Sequence, residues 1–323
     1  MTEIVAIDIG GTHARFALAR VEGGRVIGLG EETLFKTSDH EGFEAAWAAF
    51  EAAAGRPLPE AAAVALAGPV EGEALKLTNN DWTIRPGALR ESLGIGRLTL
   101  VNDFGAVAHA VARLGDSHFS PLCGPDRPLP REGVISVLGP GTGLGVAQLL
   151  RRGGADQVVE TEGGHVDFAP LDGLEDRIVA RLRPRFGRVS VERIVSGPGL
   201  ANLYGALAEM EGAEHRFGDE KTLWRAALAG SDGLAAAALD RFCRSLGSVA
   251  GDMALAQGAR AVVIAGGLGL RLAEHLPRSG FCGRFTAKGR FAQRMEDIPV
   301  KIITYPQPGL FGAAAAFAAE HGG

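Results

Sequence analysis

The sequence predicts an α/β fold built on a largely central sheet, and three observations carry that prediction. Strand-sized apolar runs alternate with helical stretches, glycine clusters fall at strand ends, and one strand–turn–strand unit recurs near the middle of the chain. Ile4 to Ile9 reads as a buried strand. It is broken by Gly10-Gly11-Thr12 and followed by a second strand through Phe16 to Ala19. Glu44 to Ala54 has helical composition, and Ala63 to Ala67 is a short apolar strand ended by Gly68-Pro69. Arg97 to Val101 reads as a strand feeding a helix from about Phe104 to Leu114. Val134 to Leu138 then opens a second copy of the first unit: strand, the turn Gly139-Pro140-Gly141-Thr142-Gly143-Leu144-Gly145, and a strand onward through Val146 to Leu150. This predicts an internal duplication, two lobes that each present a glycine hairpin to a shared cleft. Ala261 to Ala265 is a later strand ending in Gly266-Gly267-Leu268-Gly269. Val300 to Thr304 is another, and Pro308 to Ala319 reads as an Ala-rich final helix.

Composition bounds the function. At 323 residues the chain exceeds a single core, so two domains or lobes are expected. Hydrophobic residues at 46% and charged residues at 22% are ordinary for a globular protein. A net charge of −5 without a Lys/Arg block lacks the footprint of a nucleic-acid binder. No apolar run approaches the roughly 20 residues that span a bilayer. The N-terminus runs into a strand without a signal-peptide pattern, so a cytoplasmic protein is expected. Cys123, Cys243 and Cys282 are few, odd in number and widely spaced; they are expected to be reduced, packed thiols without a disulfide framework or zinc cluster.

Glycine is in excess, 47 residues, and clusters at particular turns rather than in linkers. Such turns suit phosphate because bare backbone N–H groups point at its oxygens. In the first turn Gly10 and Gly11 permit a tight reversal, Thr12 offers a hydroxyl, and Asp8 is placed to hold Mg²⁺ directly or through water. The second turn repeats this with Gly141, Thr142 and Gly143 but has no carboxylate. Neither is a P-loop, since G-x-x-x-x-G-K-[ST] does not occur. A Rossmann turn is disfavoured because strand, not helix, follows the second turn.

Asn102-Asp103 ends a strand just before a helix. Asp103 suits a helix N-cap, and equally a base that accepts the proton of an attacking hydroxyl. Glu162 and His165 stand three apart across Gly163-Gly164, read here as a flexible pair; together they suit vicinal hydroxyls, while a histidine satisfied within the fold is the plainer alternative. Glu192, after Ser190, suits the first turn of a helix.

With these residues assembled, the chain resembles the bacterial ATP-dependent glucokinases of the hexokinase/actin-like superfamily. The resemblance rests on Asp8 to Thr12, Leu100 to Phe104, Leu138 to Gly145, Glu162 to Phe168, Glu192 to Leu200, Ala265-Gly266-Gly267 and the tail from Lys288 to Leu310. It implies a two-lobed actin-like/ribonuclease-H-like ATPase fold, with mixed sheets flanked by helices and the active site in the interlobe cleft. It also implies a small α/β domain of residues 1–108 plus 300–323 and a large one of 109–299. Transfer of the γ-phosphate of ATP to the 6-hydroxyl of glucose follows, with Asp103 as general base and Mg²⁺ near Asp8. Asn102 would hold the 3- and 4-hydroxyls, Glu162 and His165 the 2- and 3-hydroxyls, and Glu192 the anomeric one. Gly10, Gly11 and Thr12 would form one phosphate loop and Gly141, Thr142 and Gly143 the other, with Gly266 and Gly267 approaching the adenosine. The resemblance further implies a homodimer whose ligands are glucose and ATP, with no nucleic acid and no membrane.

Two departures stand out. His13 takes a position where many members carry Asn, and within Thr78-Asn79-Asn80-Asp81-Trp82 the residues between the Thr-Asn pair and the Trp differ. Two rival readings are a kinase for another hexose or amino sugar, and a non-catalytic sugar sensor on the same fold. The sensor would need a partner-binding module, and no helix-turn-helix segment is read in the sequence.

Overall fold

The computed structural model describes residues 1–68, 70, 72–77 and 82–322. Of the Thr78–Trp82 motif, positions 78–81 lie outside the described residues. The chain forms two compact units: Met1–Gly115 with Val158–Glu160 and Tyr305–Gly323, and Asp116–Gln157 with Thr161–Thr304.

The first unit opens with β1 (Thr2–Ile9) and β2 (His13–Glu22), an antiparallel hairpin extended by β3 (Arg25–Leu29) and β4 (Thr33–Lys36). Helix α1 (Phe43–Ala54) follows, and then β5 (Ala61–Leu66), the short pair β6 (Leu75–Lys76) and β7 (Thr83–Ile84), α2 (Pro86–Ser92), β8 (Arg97–Asn102) and α3 (Asp103–Arg113). Sheet order is β3-β2-β1-β5-β8, with β1, β5 and β8 parallel. Alternation sorts β1 onto two cores. Val5, Ile7 and Ile9 join Phe43, Trp47 and Phe50, spaced for one face of α1, while Ile4 and Ala6 join the C-terminal helix. Burying both faces accounts for the nearly continuous apolar runs that were legible as strands.

The second unit runs β9 (Phe119–Cys123), β10 (Gly133–Pro140), β11 (Leu144–Arg152), β12 (Ala155–Thr161, of which Val158–Glu160 belong to the first unit), α4 (Gly173–Phe186), α5 (Gly197–Glu211), α6 (Glu220–Ala229) and α7 (Gly233–Gln257). After these come β13 (Ala259–Ile264), α8 (Gly266–Arg271), α9 (Phe281–Thr286), α10 (Ala292–Glu296) and β14 (Val300–Ile303). Its sheet order is β12-β11-β10-β13-β14-β9, with β10, β13 and β14 parallel. The sequence expectation drew its small domain from residue 300 onward; β14 is instead hydrogen-bonded within this sheet, and the return begins at Tyr305. Asp172 caps α4, and with the fully enclosed Glu175 it meets Arg241 and Arg284. Desolvation pushes the Asp172 carboxyl up, but the Glu175 N–H and the two guanidinium groups outweigh it and hold it at about 2.

Helix α11 (Pro308–His321) completes the first unit against α3. Gly312 permits the approach, because a Cβ there would run into the Ala106 carbonyl. No helix among the described residues is long and apolar enough to cross a membrane.

The cysteine expectation needs correction. Cys123 and Cys282 form a disulfide, Cα to Cα 5.8 Å, across 159 residues of sequence. Linear spacing hid this pair because it depends on β9 turning back antiparallel to β14, which delivers the end of β9 to α9. Cys243 is the packed thiol expected of all three; burial pushes it up to about 12.

Candidate active site

The expected site residues fall into two sets, one in each unit. In the first, the β1–β2 turn is closed by the Gly10 N–H donating to the His13 carbonyl, 2.9 Å. Thr37 holds the turn from behind: its Oγ1 donates to the Gly11 carbonyl and its N–H to the Thr12 carbonyl, both at 3.1 Å. With those carbonyls engaged, the turn's remaining polarity is that of N–H donors and the exposed Thr12, the polarity an anion needs. Asp8 precedes the turn, packed against Gly309, where a Cβ would stand 2.6 Å from its Oδ2. Desolvation raises the Asp8 carboxyl; Arg15, with Nη1 at 3.7 Å, offsets part of this, and Glu32 adds to it.

The end of β8 sets Asn102 and Asp103. Asn102 is the N-cap of α3: its Oδ1 accepts from the N–H groups of Phe104 (2.9 Å) and Gly105 (3.2 Å), and its Nδ2 donates to the Gly68 carbonyl (3.2 Å). The capping role considered for Asp103 therefore belongs to its neighbour. Asp103 is the first helical residue, and its Oδ1 lies 2.8 Å from the Phe104 N–H.

The second unit repeats the first turn with a different support. The Gly141 N–H donates to the Gly143 carbonyl (2.8 Å), and the Gly141 carbonyl accepts from the Gly197 N–H (2.7 Å), at the start of α5. The carboxylate absent from this turn arrives from elsewhere. Glu192, in the single 3-10 turn Val191–Arg193, accepts the Leu144 N–H through Oε2 at 2.9 Å. It reaches that amide because Gly143 is bare; a Cβ there would overlap the same oxygen.

Glu162 to His165 forms one 3-10 turn, with Glu162 Oε2 3.7 Å from His165 Nε2 and both side chains mostly exposed. Gly163 and Gly164 are not there for flexibility, as expected from sequence. A Cβ at Gly163 would press Val146 at 3.0 Å, and one at Gly164 would run into the Leu144 carbonyl. The loop lies flat on β11. Arg188 fixes its far end, donating to the Asp167 carboxylate and the His165 carbonyl.

Gly266 has φ +77° and abuts the Pro140 carbonyl, so its glycine is dictated internally. Gly141 and Gly267 differ: a Cβ on either meets nothing within 4 Å. No internal packing demands glycine at these two positions.

Sequence reasoning missed Thr37, Gly197 and Arg15 as supports of the turns. Gly197 alone carried a signal, as part of the Ser196-Gly197-Pro198-Gly199 motif. Among the described residues no group of three or more His, Cys, Asp or Glu is arranged to hold a metal. Mg²⁺ ordinarily keeps several waters and takes one or two carboxylates plus substrate phosphates, so a lone, under-neutralised Asp8 beside a phosphate-type turn fits it.

Comparison with known proteins bears on the whole chain. The family model for Glucokinase matches residues 5–320. The glucokinase of Zymomonas mobilis subsp. mobilis is 64% identical over 319 residues, which is 99% of this chain and 98% of that relative. The glucokinase of Caulobacter sp. (strain K31) is 42% identical over 310 residues, covering 96% and 93% of the two chains. A crystal structure of glucokinase from an Antarctic psychrotroph superposes with a TM-score of 0.84 at 32% identity, over 98% of this chain and 99% of that one.

Proposed function

The chain belongs to the glucokinase family, has the actin-like ATPase fold and is a hexose-phosphorylating kinase; from that premise we propose that it moves the γ-phosphate of ATP to the 6-hydroxyl of glucose with Asp103 as general base. The observation that carries this reading is the cap at Asn102. Asn102 takes the Phe104 and Gly105 N–H groups as N-cap, which sets Asp103 as the first helical residue at the carboxyl end of a parallel strand, with its Oδ1 on the Phe104 N–H. Strand ends of that kind are where α/β folds bind their ligands.

The proton of the 6-hydroxyl passes to the Asp103 carboxylate as the new O–P bond forms. The bond from the γ-phosphorus to the β–γ bridging oxygen breaks, and ADP leaves. The N–H groups of Gly11 and Thr12 and of Thr142 and Gly143 bind the phosphates, on turns that the Gly10 and Gly141 N–H groups close internally, while the openness at Gly267 supports nucleotide approach there. Gly266 shapes that approach. Asp8 would hold Mg²⁺, which when bound neutralises charge on the β- and γ-phosphates. Glu162 and His165 take the 2- and 3-hydroxyls, Glu192 the anomeric one, and the second Nδ2 hydrogen of Asn102 a 3- or 4-hydroxyl. ATP as donor makes the cytoplasm the compartment of the reaction.

A coupled assay following ADP release with ATP, Mg²⁺ and a panel of hexoses tests the reading. Turnover on glucose well above mannose and glucosamine is expected. Equal or better turnover on another sugar, or none on any, defeats the substrate assignment.

A further inference from the structure

We propose that Glu160 is a positioning residue for the phosphoryl transfer, completing the N-terminal cap of α3 and so fixing the direction of Asp103. The inference rests on Asp103 being the base.

A capping box satisfies a helix start reciprocally. The N-cap side chain takes an N–H near N3, and a Glu or Gln at N3 reaches back to take the N-cap N–H. Asn102 makes the first half of that bargain with Phe104 and Gly105. The third helical residue, however, is Gly105, which has no side chain to return the bond. Glu160 supplies it from 58 residues away: its Oε1 accepts the Asn102 N–H at 2.8 Å. It occupies the volume that an N3 side chain would take, since a Cβ on Gly105 would overlap the Glu160 carboxylate. The bare glycine and the distant carboxylate are therefore two halves of one device. Both lie within the first unit.

The consequence is local and mechanical. The Asn102 N–H and Asn102 Oδ1 bonds together hold the backbone on either side of the Asn102 Cα, and Asp103 is the next residue. Loosening the first of them leaves Glu162, His165 and Glu192 in place, and the Asn102 side chain tied by its own Oδ1 and Nδ2 bonds, but lets the base swing. A misplacement of that kind affects the chemical step rather than binding.

The test is steady-state kinetics of the full chain with glucose and MgATP for Glu160→Ala, Glu160→Gln and Glu160→Asp, alongside Asp103→Asn and a melting curve for each. Glu160→Ala and Glu160→Asp, which remove or shorten the acceptor, should lower kcat about 10-fold with both KM values within about twofold of wild type. Glu160→Gln keeps an oxygen at the same reach and should retain at least about half of kcat. If the alanine variant does not fold, the contrast between Gln and Asp carries the test alone. An unchanged kcat in the alanine or aspartate variant, an equal loss in the glutamine variant, or a KM rise matching the kcat loss would overturn the inference. Near-wild-type turnover in Asp103→Asn would instead remove the base assignment. Loss in Asp103→Asn with none in the alanine or aspartate variants at Glu160 would sink the positioning role alone.

Discussion

The two glycine hairpins are the same structure solved twice with different supports. Each joins antiparallel strands beside a parallel one, β1–β2 beside β5 and β10–β11 beside β13. Burial alternates identically from Gly11 to Ala19 and from Gly141 to Leu149. In the first, the carboxylate comes from the strand itself: Asp8 is desolvated, and the Arg15 guanidinium stands 3.7 Å away. In the second, Glu192 arrives 48 residues later in the chain and is satisfied by a backbone amide. A satisfied carboxylate can be held in one direction for a neutral ligand such as a sugar. An under-satisfied one is held ready for a cation. The difference separates a turn that carries its own desolvated carboxylate from a turn braced by a carboxylate brought in from another element.

The strongest way to break this comparison is Asp8→Asn. Removing the charge should cost about 10²-fold or more in kcat. The same change should stabilise the protein at neutral pH. Burial raises the folded carboxyl above its usual 3.8, so the folded state holds the proton to higher pH, and stability falls as pH rises through the folded value. The stability gap between variant and wild type should thus open as pH rises and close below about 3.8, which denaturant titrations across pH would reveal. A loss of activity accompanied by a loss of stability would mean that Asp8 is structural.

A second contrast lies in covalent bracing. The disulfide of the second unit closes a loop of 159 residues, and reduction or Cys282→Ser should lower stability by about 2–4 kcal/mol while leaving kcat unchanged. Calorimetry with and without reductant measures it.

The smallest effects sharpen the comparison within the second hairpin. Gly143→Ala forces Glu192 off the Leu144 amide and should cost about 1–3 kcal/mol of stability, together with a higher KM for glucose. Gly141→Ala meets no internal atom and should leave the melting temperature unchanged while raising the KM for ATP. If the two alanine variants behave alike, the division between braced and ligand-facing glycines fails.

These contrasts also mark what the sequence could and could not reveal. Buried strands and their turns were legible because sheets covered on both faces produce continuous apolar runs, and Gly-Gly-Thr and Gly-Thr-Gly stop them abruptly. Asn102-Asp103 is legible as a strand-to-helix junction, but which of the two caps is not, because Asn and Asp suit an N-cap equally and Asn102 takes the place expected of Asp103. The reasons for individual glycines were not legible. Gly163 and Gly164 looked like flexibility and are close packing against β11, and Gly105 carried no signal because its partner Glu160 lies 58 positions away. Cys123 and Cys282 were hidden for the same reason. Local pattern reports what a segment becomes, whereas these pairings depend on where the fold delivers it.

The central claim is the base. Turnover and glucose binding of Asp103→Asn, measured side by side with wild type by the coupled assay and by calorimetric titration, test it most directly. The account predicts a kcat lower by at least about 10²-fold with glucose affinity retained. Near-wild-type turnover would contradict it.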